Sequence, residues 1–557
     1  MSAEGTRSSA GALDEIVGSY DIRGVAYETL TTEIAGALGA AFADLLDAGD
    51  VIVAHDMRVS SPDLAEAFAR GAVRRGSTVA FAGLSSTDQL YCASGLFAAA
   101  GAQLTASHNP ARDNGIKMCF AHAKPVGRAN GLLDVRDRAR TYLEEGRIPV
   151  REGGRLEPLD TLDDYIATML RLAPLDGTRN LKVVVDAANA MAGRTFPALA
   201  SRLPSLDIVP LYFDLDGTFP NHEANPLNPV NLRDLQETVR ESDADLGLAF
   251  DGDADRCIVV DENGEIVPPS ALTAMIAEEE IARAQSDGCP RPVVIGNVPS
   301  SRAVREIVEA AGGEYVRTKV GHSIIKQVMA ERDAIFGGEH SAHYYFREFF
   351  FADSGMLAAL HVMRTLEKNG DRPLSALLER YSPYVASGEI NSPIDEPVDS
   401  VLERVAAFFV ECGADHDDLD GVTLNHWDEE RDPREQWWLS VRGSGTEPLV
   451  RLNVEAAETA TMERVRDMAL AVVRGEVGER EGSSVRVSEM EGAEVASEEE
   501  SQSELSWARS LVRCPACHAD LDLSEQMVRC ASCGRDYDRE GGIPMLVIRD
   551  SSNVYGR

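Results

Sequence analysis

The sequence lacks the features that mark secreted and membrane-spanning proteins. Only nine of its 557 residues are cysteines, whereas secreted disulfide frameworks are short and dense in cysteine. No run approaches the roughly 18 consecutive apolar residues of a membrane span, and the first residues lack the basic-then-apolar order of a signal peptide. We therefore expect a cytoplasmic protein without membrane contact.

Positive charge is also scarce. The chain has 54 basic residues against 92 acidic ones, which gives a formal net charge of −38. A surface of this sign repels phosphate polyanions, so long contacts with a nucleic acid would be unfavourable. The composition thus predicts no nucleic-acid partner.

Regular alternation of apolar runs with amphipathic stretches predicts the fold. Runs such as DVIVAHD, LKVVVDAAN, ADLGLAFDGD and RPVVIGNV each resemble a buried strand that ends in a polar loop, which is typical of α/β domains with parallel strands. The prediction is three tandem mixed α/β domains and an α+β fourth domain, followed by a small C-terminal domain. The predicted boundaries are 1–155, 156–262, 263–372 and 373–475, an acidic linker over 476–508, and the small domain over 509–550.

Three aspartates follow the apolar run LGLAF at alternate positions. Asp251, Asp253 and Asp255 would repel one another unless a cation lay among them, and Mg²⁺ prefers such oxygen ligands. The alternatives are an ordinary acidic loop or the start of a calcium loop, but the later Gly and Glu of the calcium pattern are missing and Arg256 interrupts it. The motif predicts a magnesium site.

Two further loops carry polar groups suited to phosphate chemistry. Ser107 in TASHNP, with Lys117 nearby, could be a nucleophile or simply a turn residue, and no G-x-S-x-G elbow supports a serine hydrolase. The segment RGSGTEP from Arg442 offers a guanidinium, hydroxyls and exposed N–H groups that could cradle a phosphate. Its alternative is a glycine hairpin with incidental hydroxyls.

Together these motifs resemble those of the α-D-phosphohexomutase family. TASHNP with NGIK, DGDADR, GGEHSAH and RGSGTEP occur in that family's order and at its approximate intervals, over roughly residues 15–475. The segments STDQLYCASG and GGEHSAHYYFREF look most like those of the family's bacterial phosphomannomutase branch. Ala342 departs from the commonest sugar loop, where glycine is usual, which bears on the sugar preference.

The resemblance implies a phosphohexomutase whose four domains surround a central cleft and which moves phosphate between O6 and O1 of a hexose. The reaction would pass through a phosphoserine and a hexose 1,6-bisphosphate, which also serves as activator. Mannose phosphate is the first expectation, and phosphoglucomutase or phosphoglucosamine mutase activity is the alternative. Ser107 would carry the phosphate and would hold Mg²⁺ with Asp251, Asp253 and Asp255.

The resemblance also implies roles for the remaining site residues. The further catalytic candidates are Arg23, His108, Lys117, Arg256 and His322. The substrate-binding candidates are Glu339, Ser341, His343, Arg442, Ser444, Gly445, Thr446 and Arg451.

A competing motif lies in mid-chain. Asp214-Leu-Asp216-Gly-Thr218 reproduces the D-x-D-G-T nucleophile motif of haloacid-dehalogenase-type phosphatases. Because the segment that follows it, FPNHEANPL, resembles the second domain of the phosphohexomutases, the mutase interpretation is favoured.

Four cysteines near the end have metal-ligand spacing. Cys514-x₂-Cys517 and Cys530-x₂-Cys533 predict a four-thiolate zinc site, since a metal-free domain this small would struggle for stability. The segment resembles a family of zinc ribbons whose members often partner methyltransferases, and this resemblance implies a protein partner. The enzyme itself is expected to be a monomer or a dimer. An alternative function that is not enzymatic is a zinc-dependent interaction scaffold with a degenerate mutase body.

Overall fold

The computed structural model describes residues 9–428, 430, 432–444 and 448–476, and the backbone of five short strands between residues 521 and 544. The chain divides into two compact units, Met1–Gly478 and Glu479–Arg557. Among the described residues, no helix is both long enough and apolar enough to cross a membrane.

The first block is a seven-stranded sheet covered by helices. Its strand order is β1-β5-β4-β2-β3-β7, with β6 paired to β5; β2, β3, β4 and β7 run parallel, and β1, β5 and β6 are joined by antiparallel pairing. The elements are α1 (Ser9–Ile16), β1 (Ile22–Val25), α2 (Thr32–Leu45), β2 (Val51–His55), α3 (Ser61–Arg74), β3 (Thr78–Leu84), α4 (Thr87–Phe97), β4 (Ala100–Leu104), β5 (Asp113–Phe120), β6 (Lys124–Pro125), α5 (Leu132–Glu145) and β7 (Arg155–Pro158).

Glycines let α2 and α3 approach closely. A Cβ added at Gly39 would lie 2.0 Å from the carbonyl oxygen of Phe68, and one at Gly71 would lie 2.0 Å from that of Gly36. Because no side chain fits there, the two helices pack backbone against backbone over the sheet. The start of α3 agrees with its sequence, since Ser60 is the N-cap and Pro62 lies in the first turn.

The second and third blocks are smaller mixed sheets. The second has the order β11-β10-β8-β9 and the third β13-β12-β14-β15-β16. In each sheet the strands pair in parallel up to one edge, β9 or β13, and antiparallel at the other edge. The elements are α6 (Leu162–Leu172), β8 (Leu181–Asp186), α7 (Ala192–Ala200), β9 (Leu206–Leu211), α8 (Arg233–Ser242), β10 (Leu246–Phe250), β11 (Cys257–Asp261), α9 (Pro269–Ser286), β12 (Val293–Asn297), α10 (Arg302–Ala310), β13 (Glu314–Thr318), α11 (His322–Arg332), β14 (Phe336–Gly338), β15 (Tyr344–Phe346), β16 (Ala352–Asp353) and α12 (Gly355–Lys368).

The fourth block is an antiparallel sheet of six strands with two long helices. Its order is β17-β22-β21-β20-β19, with β18 also paired to β22. The elements are β17 (Val385–Ala386), β18 (Ile390–Pro393), α14 (Val398–Glu411), β19 (Asp415–Asp417), β20 (Val422–Asn425), β21 (Trp437–Gly443), β22 (Leu449–Ala456) and α15 (Thr459–Val473). The short helix α13 (Leu374–Leu378) precedes them and packs against α9 of the third block. The predicted succession of three α/β blocks and one α+β block is confirmed.

The apolar cores show which blocks belong together. One core joins the second and third blocks and includes Tyr91 and Cys92 of α4, so the first block also contributes to it. The first block has a core of its own, and so does the fourth, which includes Leu439 and Val441 of β21. The fourth block is therefore built around an independent core.

The second unit is described only as short strands. They are β23 (Leu521–Leu523), β24 (Val528–Cys530), β25 (Asp536–Tyr537), β26 (Arg539–Glu540) and β27 (Ile543–Pro544). Cys514, Cys517 and Cys533 of the predicted zinc site, together with the predicted linker from residue 477 onward, lie outside the described residues.

Candidate active site

Ser107 lies on a tight loop between β4 and β5. Its φ is +51°, a left-handed value that residues with a Cβ rarely adopt and that is concentrated at functional sites. The Ser107 N–H donates a 2.9 Å hydrogen bond to the Thr105 hydroxyl, and the residue is buried. The turn thus fixes the direction of the Ser107 hydroxyl.

Arg58 anchors the backbone of this loop. Its fully buried guanidinium donates hydrogen bonds to four backbone carbonyls, those of Ser107 (2.8 Å), Asn109 (2.7 Å), Pro110 (2.8 Å) and Asp113 (3.0 Å). The Asp56 carboxylate lies 3.2 Å from Arg58 Nε and balances its charge. Arg23 also supports the loop by donating to the carbonyl of Ala106 (2.7 Å) and to Asn109 Oδ1 (2.6 Å).

The three predicted aspartates meet the serine loop at the end of β10. The Ser107 hydroxyl donates a 2.6 Å hydrogen bond to Asp251 Oδ2, and Arg256 Nη2 donates to Ser107 Oγ at 3.0 Å. A Cβ at Gly252 would lie 2.2 Å from the Ser107 carbonyl oxygen, so only glycine allows this approach. The aspartate loop and the serine loop therefore form one site.

The aspartate cluster fits a divalent cation. Ligand oxygens of Asp251, Asp253 and Asp255 lie within 4.8 Å of one another, and all three residues are buried. Lys117 Nζ contacts one oxygen on each of two of these carboxylates, Asp253 Oδ2 (2.7 Å) and Asp255 Oδ2 (2.6 Å). Asp253 Oδ1 accepts no hydrogen bond although it is buried. An unpaired carboxylate oxygen beside two other acidic groups is the arrangement that Mg²⁺ satisfies.

Electrostatics set the protonation of the groups around the cluster. Burial, together with the charges of Asp255 and Asp253, raises the pKa of Asp251 to about 6 against the opposing effect of Arg256. Burial lowers the pKa of Lys117, but the charges of Asp253 and Asp255 outweigh it and raise that pKa above its ordinary value. Lys117 therefore keeps its proton.

The two catalytic histidine candidates are neutral at pH 7. Arg256, which hydrogen bonds to His108 Nδ1, and then burial lower the pKa of His108 below its ordinary value. Burial and the Lys326 ammonium lower the pKa of His322 to about 4. His322 begins α11, and its ring packs against Tyr20 with centroids 5.5 Å apart.

The predicted sugar-recognition residues lie beside the aspartate loop. The backbones of Arg256 and His343 form an isolated β-bridge, and His343 Nε2 lies 3.6 Å from Asp255 Oδ1. The Ser341 hydroxyl is 3.2 Å from His343 Nδ1 and 3.4 Å from Glu339 Oε2. These contacts bring Glu339, Ser341 and His343 to the same site as the aspartates.

Two further contacts hold the Glu339 carboxylate. Asn297 Nδ2 donates to its Oε2 at 3.2 Å, and the Tyr345 hydroxyl donates to its Oε1. Ala342, the position where glycine was expected, adopts a φ of +64°. The loop keeps the turn that glycine would allow, since the Ala342 N–H still bonds the Glu339 carbonyl at 3.1 Å.

The predicted phosphate cradle lies on the fourth sheet. Arg442 and Arg451 face each other across β21 and β22, and both contact Glu389, at 3.2 and 2.8 Å. The Ser444 N–H bonds the Leu449 carbonyl at 2.9 Å. Gly445 and Thr446 lie outside the described residues.

Tyr20 of the first block lies close to contacts between the third and fourth blocks. Its hydroxyl donates to the Val320 carbonyl at 3.5 Å, and the Val320 N–H donates to Asp420 of the fourth block at 3.0 Å. Burial, followed by Asp420 and Glu339, raises the pKa of Tyr20, and Arg442 opposes that rise. Charges from the third and fourth blocks therefore act on one tyrosine of the first block.

Three buried residues at the site escaped the motif-based prediction. Lys326 Nζ lies 2.6 Å from Asp353 Oδ1 and 3.8 Å from the Tyr91 ring centroid. Asp353 Oδ2 lies 3.9 Å from His343 Nε2, and Thr87 contacts Asp253. Of these three, only Lys326 had a sequence signal, which is the rarity of lysine: the chain has just six. The structure buries two of the six, Lys117 and Lys326, at this site.

The competing D-x-D-G-T motif does not form such a site. Asp214 is exposed, and Asp216 accepts both the hydroxyl (2.7 Å) and the N–H (2.9 Å) of Thr218. This is a self-contained turn, and neither aspartate belongs to an acidic cluster within the described part of the chain.

Comparison with family models gives four matches in order along the chain. They are described as the phosphoglucomutase/phosphomannomutase alpha/beta/alpha domains I, II and III and C-terminal domain, and they match residues 14–138, 163–264, 268–384 and 389–472.

Individual proteins are similar over most of the chain. A phosphomannomutase from Escherichia coli is 34% identical over 466 residues, which cover 82% of this chain and 98% of that protein. Phosphohexose mutases from Xanthomonas campestris pv. campestris are 35% identical over 461 residues, with the same coverage of 82% and 98%. A solved structure of a phosphoglucomutase/phosphomannomutase family protein from Burkholderia thailandensis is 29% identical, covers 85% of this chain and 99% of its own, and has a TM-score of 0.71.

Proposed function

Because the chain belongs to the phosphoglucomutase/phosphomannomutase family, we propose that this phosphohexomutase interconverts mannose 6-phosphate and mannose 1-phosphate. The enzyme class is an isomerase that acts by intramolecular phosphotransfer. The choice of mannose as the sugar rests on one observation, the 34% identity to a phosphomannomutase over 98% of that protein. The alternative function, a zinc-dependent interaction scaffold with a degenerate mutase body, has no support.

We propose that Ser107 carries the transferred phosphoryl group. In the forward step the bond from phosphorus to Ser107 Oγ breaks, a bond to the sugar hydroxyl forms, and the hydroxyl proton leaves to a base. Neutral His322 suits the role of that base, whereas protonated Lys117 suits charge neutralisation. The supporting geometry is the buried Ser107 hydroxyl between Asp251 and Arg256.

We assign Asp251, Asp253 and Asp255 as ligands of Mg²⁺, with phosphorylated Ser107 completing the site. When bound, the ion supplies positive charge that stabilises the transferring phosphoryl group. Arg256 and Arg23 add charge from the protein, and both already contact the serine loop.

Substrate binding divides between two of the blocks. Glu339, Ser341 and His343 would accept and donate hydrogen bonds to the sugar hydroxyls, and the orientation of Glu339 by Asn297 and Tyr345 supports that role. Arg442, Arg451 and Ser444, with Gly445 and Thr446, would hold the phosphate that is not reacting. A hexose 1,6-bisphosphate that turned between these two sets could present either phosphate to Ser107.

The sugar preference is tested by comparing kcat/KM for three substrates. We expect mannose 1-phosphate to match or exceed glucose 1-phosphate and glucosamine 1-phosphate on one phosphorylated preparation with Mg²⁺ and a hexose 1,6-bisphosphate. The bisphosphate is included because loss of the intermediate would leave Ser107 unphosphorylated. An advantage of about tenfold or more for glucosamine 1-phosphate, which is a sizeable discrimination for one substituent, would contradict the mannose assignment.

We also propose a structural zinc ion at Cys514, Cys517, Cys530 and Cys533. The spacing of two C-x₂-C pairs supports it. We expect about one zinc per chain by elemental analysis, falling to background when Cys514 and Cys530 are both replaced by serine. A zinc-free wild-type chain, purified without chelators, would show the assignment to be wrong.

A further inference from the structure

The turn that begins α4 reaches the aspartate loop of the next block. Ser86 is the N-cap, and its side chain accepts the Gln89 N–H at 3.3 Å. The neighbouring Thr87 hydroxyl is therefore not needed to cap the helix. It contacts Asp253 instead.

Thr87 bonds Asp253 through both its backbone and its side chain. The Thr87 N–H donates to the Asp253 carbonyl at 3.0 Å, and the Thr87 hydroxyl donates to Asp253 Oδ2 at 2.5 Å. Both residues are fully buried. Oδ2 also accepts from Lys117, at 2.7 Å, whereas Oδ1 accepts no hydrogen bond. The two donors fix the rotation of the carboxylate and leave one specific oxygen unpaired.

The turn itself is anchored by Asp88. Three hydroxyls donate to this buried carboxylate: those of Ser86 (2.5 Å), Tyr165 (2.7 Å) and Ser354 (2.7 Å). Tyr165 belongs to α6 of the second block, and Ser354 is the N-cap of α12 in the third. Because three blocks hold Asp88, the adjacent Thr87 has a fixed position from which to orient Asp253.

We propose that Thr87 is a positioning residue that turns Asp253 Oδ1 towards a divalent cation. The inference rests on the proposed role of Asp253 as a metal ligand. Hydrogen bonds to the second oxygen of a ligating carboxylate orient the first, and their removal commonly weakens metal binding by 10- to 100-fold. Loss of the Thr87 hydroxyl therefore lowers Mg²⁺ affinity without removing any ligand.

The matched variants separate the hydroxyl from the shape of the side chain. Thr87→Val keeps the volume and removes the hydroxyl, whereas Thr87→Ser keeps the hydroxyl. Thr423→Val is the control, since Thr423 is buried on β20 and its hydroxyl has no hydrogen-bond partner among the described residues. Asp253→Asn removes the charge of the proposed ligand.

The experiment measures the Kd of Mg²⁺ by calorimetric titration of the unphosphorylated full-length proteins, with melting temperatures recorded in the absence of Mg²⁺. We expect Thr87→Val to raise Kd by about tenfold or more, and Thr87→Ser and Thr423→Val to stay close to the wild type. An unchanged Kd for Thr87→Val would overturn the inference, as would an equal loss of affinity in Thr87→Ser. If Thr87→Val does not fold, Thr87→Ala, which also lacks the hydroxyl, is titrated in its place and is judged by the same outcomes.

The Asp253→Asn variant separates the existence of the metal site from the role of Thr87. Wild-type affinity in Asp253→Asn would refute the metal site itself. A weakened Asp253→Asn beside an unaffected Thr87→Val would refute only the role of Thr87.

Discussion

Replacement of Ser107 by alanine is expected to lower kcat by at least about 10³-fold, as loss of a nucleophile does in other enzymes with covalent intermediates. The Ser107 hydroxyl donates to Asp251 Oδ2 and accepts from Arg256 Nη2, and alanine has no oxygen to take its place. Sugar phosphate should bind with nearly unchanged Kd, because the residues proposed to hold it lie on other loops. Turnover and equilibrium binding are measured on the same preparations.

A matched serine serves as the control for this variant. Ser440 is fully buried on β21, and its hydroxyl has no hydrogen-bond partner among the described residues. Ser440→Ala should therefore keep normal turnover. Near-normal turnover in Ser107→Ala, or a phosphorylated form of that variant detected by mass spectrometry, would place the phosphoryl carrier elsewhere.

Replacement of Arg58 by methionine is expected to destabilise the protein by about 3–5 kcal/mol, the usual cost of leaving a buried charge unpaired. Asp56 would lose its ionic partner, and four carbonyls of the serine loop would lose their donor. We also expect kcat to fall, since the loop would no longer hold Ser107 in its left-handed conformation. Urea unfolding and steady-state kinetics measure the two effects.

A second substitution separates the charge effect from the loop effect. In Asp56→Asn/Arg58→Met the unpaired charge is absent, so part of the stability should return, whereas the carbonyls remain without a donor and kcat should stay low. Equal recovery of stability and turnover would show that Arg58 acts only as a counter-ion. Wild-type stability in Arg58→Met alone would contradict the clamp.

Much of the fold followed from the sequence because buried parallel strands are short apolar runs. DVIVAHD, LKVVVDAAN and ADLGLAFDGD all proved to be strands, β2, β8 and β10, that end at the predicted loops. The positions of Ser107 and Asp251 also followed, because ligand sites in such sheets collect at the carboxyl ends of strands. The pattern of apolar runs was thus enough to place both residues on loops.

The supporting contacts could not be inferred in the same way. Arg58 acts on backbone carbonyls, which every residue has, so no partner residue type marks them in the sequence. Thr87 bonds a residue 166 positions later, and Asp88 bonds one 266 positions later. Such long separations depend on how the blocks pack and leave no local pattern.

The independent core of the fourth block bears on how the protein loses its structure. Because Leu439 and Val441 pack within that block alone, its melting need not breach the core shared by the second and third blocks. The molecule can then populate a partly unfolded state in which Arg442 and Arg451 are lost while Ser107 and the aspartates stay assembled. If Ser107 carries the phosphoryl group as proposed, that group would then be exposed to water with no substrate bound, and the stability of the fourth block would set how long the enzyme keeps its phosphate.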